Sequence, residues 1–167
     1  MENSLDFITT YFTEEKIESL FFIIIGFITT LLACFFLWII KYSFFKGIAF
    51  PFLLIGLIQI IVGSTIYQRT PKDILRVEQI IKVNPQHLQN TEIPRIEKVL
   101  QHFILYQWIE IWLLILSSCL IIIFYKSPQT FWKGIGLGLL IQAFSMFFLD
   151  MIAQHRAEIY LQFLCKF

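Results

Sequence analysis

Four long apolar runs dominate the chain, separated by two short polar turns and one long polar segment. The runs cover about 19–40, 47–67, 103–125 and 131–153. Each holds roughly 20 residues, which is what ~30 Å of hydrocarbon requires of a helix rising about 1.5 Å per residue. In lipid, backbone N–H and C=O groups have to be satisfied within the segment, so the runs are helices rather than strands. The pattern predicts an all-α membrane protein, a single domain over 1–167 with four transmembrane helices and a surface helical segment between the second and third.

The connections are unequal. Lys41 to Lys46 and Lys126 to Lys133, the latter around Ser127-Pro128, are tight turns. The polar segment at about 70–100 opens with Thr70-Pro71-Lys72-Asp73, a capping residue, a proline at the first helical position and an acid at the third. Ile74, Val77 and Ile81 follow at helical spacing beside Arg76, Glu78 and Lys82. This predicts a short amphipathic helix on the membrane surface, broken at Asn84-Pro85. A second helix is expected to start near Ile93-Pro94 and run into the third span. The tail from Gln154 sets Ile159, Phe163 and Leu164 against Arg156, Glu158 and Lys166, so it reads as an extension of the fourth helix.

Composition narrows the class. The chain is 57% hydrophobic and 15% charged, against roughly 25% charged in ordinary soluble domains. A net charge of +1 without a long basic run argues against nucleic-acid binding. Cys34, Cys119 and Cys165 are too few and too scattered for a disulfide framework. The acidic first residues, with Glu2, Asp6, Glu14, Glu15 and Glu18 against Lys16, do not read as a cleavable signal. An even number of spans puts both termini and the long segment on one side. The turns on the opposite side carry Lys41, Lys46, Lys126 and Lys133 and no acid. Total Lys/Arg count would make the terminal side cytoplasmic, whereas the flanks of the first helix, which usually dominates, place the termini outside.

Ionisable groups inside hydrocarbon are costly, which draws attention to Glu110 and Asp150, both towards the terminal side of their spans. Gln107, Glu110 and Ser117 share one helical face. Gln142 precedes Asp150 by two turns, Gln59 lies in the second span and Arg69 closes it. These residues are expected to form a polar intramembrane cluster rimmed by His102, Arg95 and Arg156. The competing reading is structural: Glu110 paired with Arg69 or Arg156, and Asp150 fixing the tail. His87, His102 and His155 have no spacing that fixes a metal or haem, so no metal or cofactor is expected. Gly134 and Gly138 form a GxxxG, and Gly56 and Gly63 lie seven apart. Both patterns allow close helix approach, within the chain or in a homodimer through Gly134 and Gly138. No nucleophile elbow, HExxH or paired-Asp motif is present.

Two stretches carry a resemblance. One holds Tyr67-Gln68-Arg69-Thr70, Glu92-Ile93-Pro94-Arg95-Ile96-Glu97-Lys98-Val99 and Tyr106-Gln107-Trp108-Ile109-Glu110-Ile111. The other holds Gly134-Ile135-Gly136-Leu137-Gly138, Gln142, Met146, Asp150, Ala153, Arg156 and Tyr160-Leu161. Together they resemble a group of uncharacterised small four-helix bacterial membrane proteins. The resemblance implies the bacterial cytoplasmic (inner) membrane and four spans, carries no activity, and points to Arg69, Arg95, Glu110, Asp150 and Arg156. Three function classes are therefore expected in order. The first is a non-enzymatic accessory or interaction protein that works with the lipid bilayer and a membrane protein partner. The second is a small-amphiphile binder or transporter with an acidic intramembrane pocket. The third is a membrane enzyme acting on lipid head groups, with Glu110 or His102 as base.

Overall fold

Each apolar run proves to be one half of a much longer helix. The computed structural model describes residues 2–83 and 85–166, and the side chains of 5–83 and 88–166. It contains α1 (Glu2–Trp38), α2 (Ser43–Val83), α3 (Pro85–Phe124) and α4 (Thr130–Lys166). All four are long and apolar enough to cross a membrane. The 41 residues of α2 extend about 60 Å, roughly twice a ~30 Å hydrocarbon core. Every helix therefore carries an apolar half and a more polar half. The polar halves share the end of the bundle that bears both termini.

That end has its own apolar core. Ile8, Tyr11 and Phe12 of α1 meet Val77 and Ile81 of α2, Leu88 and Ile96 of α3, and Tyr160 and Leu164 of α4. Tyr11 stacks on Tyr160 at 4.0 Å and Phe7 on Phe163 at 4.3 Å between ring centroids. Burial of large rings from α1 and α4 against aliphatic side chains of α2 and α3 is what allows a polar-surfaced extension to fold beyond the apolar halves.

The apolar halves are joined differently, by small residues. Along α1 the positions Ser19, Gly26 and Ala33 recur every seven residues, and along α2 so do Ala49, Gly56, Gly63 and Thr70, all buried. A Cβ on Gly26 would stand 2.6 Å from the Gly56 carbonyl oxygen, and one on Gly63 2.7 Å from that of Ser19. α2 and α4 run parallel and touch through Gly47 against the Phe131 carbonyl, Gly134 against that of Phe44, and Gly138 against Pro51. On α4 a further seven-residue series, Gly136, Ala143, Asp150, Ala157 and Leu164, is buried, and Gly136 abuts Ser117 and Ile121 of α3. Lipid offers no hydrophobic drive between helices, so close backbone approach and dispersion hold such seams. α2 and α4 form the centre, with α1 laid on α2 and α3 on α4; α1 touches α4 only sparsely.

Several local expectations change. No separate helix begins at Pro71, because α2 passes through both Pro51 and Pro71. Thr70 is not a cap: its hydroxyl donates to the Ile66 carbonyl at 2.8 Å, one turn back. Segment 70–100 is thus the end of α2 and the beginning of α3, packed on the tails of α1 and α4. α3 starts at Pro85 and contains Pro94, rather than starting near Ile93. The expected break at Asn84-Pro85 falls between α2 and α3, with Asn84 itself outside the described residues. On the tail the buried stripe is Ala153, Ala157, Tyr160 and Leu164, whereas Ile159 is exposed. The two tight turns and the continuation of the fourth helix lie where the sequence puts them.

Candidate functional site

The apolar halves of α2, α3 and α4 bury four polar side chains of the kind that hydrocarbon tolerates least. Gln59, Glu110 and Gln142 are each at most 1% exposed and Asp150 is 6% exposed. Asp150 occupies the α4 seam that faces α3, and its carboxyl lies against that of Glu110. On α3 Glu110 repeats every seven residues with Ile96, Phe103 and Ser117, so the seam residues of both helices carry the acids inward. The contact of Gly136 with Ser117 sets an antiparallel register that places Glu110 opposite Ala143, a side chain small enough to leave it room. Gln142 sits one turn beyond Gly138 on the face that meets α2, and Gln59 two turns beyond Pro51 on α2.

These groups are not satisfied by the protein. Both amide atoms of Gln59 and both of Gln142 have no hydrogen-bond partner among the described residues, and the carboxyl of Glu110 meets none among them but that of Asp150, with which it can share a proton. A buried polar group left so costs about 1–3 kcal/mol, and a charged one more. The only Lys or Arg within the four apolar runs is Lys133, at the opposite end. The two carboxamides are separate buried groups, Gln59 against Gly26 of α1 and Gln142 on the face of α4 that meets α2, whereas the acid pair of α3 and α4 sits in an apolar surround with no internal cation. It is suited to a group that brings positive charge and N–H donors.

The remaining predicted residues divide. Gln107 lies one turn before Glu110 on α3, but its amide donates to Gln154, which in turn donates to Glu158 at 2.7 Å. His102 is exposed beside Tyr106, with 6.2 Å between ring centroids, and does not enter the cluster. Arg69 pairs with Glu15 at 3.1 Å and Asp73 at 3.0 Å, not with Glu110. Arg95 donates from Nε to Glu92 at 2.8 Å and lies over the Phe12 ring. Arg156 pairs with Glu18 and lies over the Tyr11 ring. These three arginines belong to the polar end of the bundle, where their partners consume the charge expected to reach the acids. The side chain of His87 lies outside the described ones.

Sequence reading overlooked Glu92. It is 1% exposed and accepts from Arg76 of α2 at 3.0 Å as well as from Arg95. Together with Asp73, which pairs with both Arg69 and Arg76, it stitches α1, α2 and α3 through a chain of alternating charges. The available signal was the spacing of Leu88, Glu92 and Ile96, which puts an acid on a buried apolar face. No family model matches this chain, and no curated protein or solved structure matches it.

Proposed function

We propose that this is an integral membrane protein, without catalytic activity of its own, that binds a small cationic amphiphile at Glu110 and Asp150. One observation carries the reading: two acids lie carboxyl to carboxyl between the apolar halves of α3 and α4, and the carboxamides of Gln59 and Gln142 are buried in α2 and α4 with no hydrogen-bond partner among the described residues. An intramembrane ionisable residue faces the bundle interior and marks a binding or ion path far more often than not. An amine supplies charge and N–H donors to the two carboxyls, and its alkyl tail is at home among the apolar walls. The accessory-protein expectation rests mainly on missing motifs, whereas the unspent polar groups favour a binder. The resemblance noted in the sequence would set the protein in a bacterial cytoplasmic membrane.

The test uses purified protein in mild detergent, with a long-chain primary alkylamine as probe and the alkanol of equal length as control. Saturable binding of the amine but not the alkanol is expected, reduced at least about tenfold in Glu110→Gln, the loss of one charge-assisted hydrogen bond. Equal uptake of amine and alkanol, or unchanged amine binding in the variant, would make the cluster structural and return the search to protein partners.

A further inference from the structure

A second candidate site lies between α1 and α4, on residues separate from the Glu110–Asp150 set. There the two helices diverge below the Tyr11–Tyr160 and Phe7–Phe163 stacks and leave a groove of about 550 Å³. The groove sits where the apolar halves begin, since Ser19 and Ala153 bound the first and fourth runs. Ile17 and Ile152 wall it on the apolar side. Below them α1 and α4 expose Leu20, Phe21, Ile24, Phe148 and Met151, apolar side chains against which acyl chains can lie.

Its charged residues have a particular balance. Glu14 and Glu18 come from α1, and His155 and Arg156 from α4. Arg156 is committed to Glu18 through Nη1, but its Nε has no hydrogen-bond partner among the described residues. Glu14 is exposed and makes no ion pair among the described residues. A purely anionic headgroup would meet two carboxylates for one guanidinium, and a purely cationic one would meet Arg156. A zwitterion matches both: an anionic phosphodiester on Arg156 and His155, and a cation on Glu14 and Glu18.

The form of the cation can also be argued. Quaternary ammonium groups are bound by open aromatic faces. Of the aromatic rings that line the groove, Tyr11 is already stacked on Tyr160 and overlain by Arg156, and Phe7 is stacked on Phe163. A primary ammonium needs oxygen acceptors instead, and the two glutamates provide them. We infer that the α1–α4 groove is a specific site for a phospholipid with a phosphoethanolamine headgroup.

The experiment is native mass spectrometry of the full chain in mild detergent. It is mixed with equimolar phosphatidylethanolamine, phosphatidylcholine and phosphatidylglycerol bearing the same acyl chains. The ethanolamine lipid should dominate the adducts by roughly tenfold, one charge-assisted contact's worth. Glu14→Gln removes a surface carboxylate that holds nothing in the fold, and should bring the ethanolamine and choline lipids to near parity. Arg156→Gln should weaken adducts of all three lipids. The double variant Glu18→Gln/Arg156→Gln, which leaves no orphaned charge, should do the same while keeping the helical circular dichroism of the parent. No phospholipid adduct, a preference for the glycerol lipid, or an ethanolamine preference unchanged by Glu14→Gln would each overturn the assignment.

Discussion

Glycine shows how much a single methyl group decides in this protein. A Cβ at Gly134 would run into the Phe44 carbonyl oxygen, part of a helix backbone that cannot yield locally. At Gly136 the nearest atom is Cγ1 of Ile121, at 2.9 Å, in a side chain that can change rotamer. Gly134→Ala is therefore expected to cost about 1–3 kcal/mol by overpacking, and Gly136→Ala clearly less, as read from thermal melts in detergent. Equal losses would mean that α4 does not rest on α2 as described. The same scale separates what was legible from what was not. Glu110 and Asp150 declare themselves because an acid inside an apolar run has few explanations. Glu92, Asp73 and Glu15 sit among other charges, where nothing in the sequence distinguishes a buried acid from a solvated one. Arg69 and Arg95 pair elsewhere for that reason: Asp73 and Glu92 are local partners that look ordinary, and Glu15 is one acid of several on a distant helix.

Helices here are defined by their companions more than by their own signals. Thr70-Pro71 has the composition of a helix start, yet α2 continues through it. A proline inside a helix forfeits one hydrogen bond and costs about 3 kcal/mol or more, so packing of Val77 and Ile81 beyond it has to offset the loss. The centre of that packing is Tyr160, fully buried, with a hydroxyl that has no hydrogen-bond partner among the described residues. Tyr160→Phe should leave stability unchanged or raise it by up to ~1 kcal/mol, since an unsatisfied group is removed and the ring retained. Tyr160→Ala should lower it by about 3–5 kcal/mol. Melting curves of the two variants decide the matter, and a marked loss in Tyr160→Phe would mean that the hydroxyl is in fact bonded. The Ile159 stripe was misjudged because a helix with apolar residues on more than one face does not announce which face is covered.

Viewed whole, the molecule is two bundles end to end on the same four helices, one joined by small residues and one by large rings and ion pairs. The free cysteines report on this division. Cys119 and Cys165 are both exposed, but Cys119 lies in the apolar half of α3 and Cys165 in the polar tail of α4. In intact vesicles with the polar end accessible, a charged maleimide should label Cys165 and spare Cys119, and a lipid-soluble one should label both. Labelling of Cys119 by the charged reagent would place that half in water. Four apolar helical segments, the two tight turns between them and the acids in an apolar setting were legible in the sequence. Local composition sets how much of a helix suits lipid, and one charge among twenty apolar neighbours is unambiguous, but composition does not say how far each helix continues beyond the lipid. Only the tertiary structure decided that residues before the first span and after the fourth build a second core with segment 70–100, and which arginine meets which acid. Those outcomes depend on register between helices distant in the chain, set by where small side chains let backbones touch.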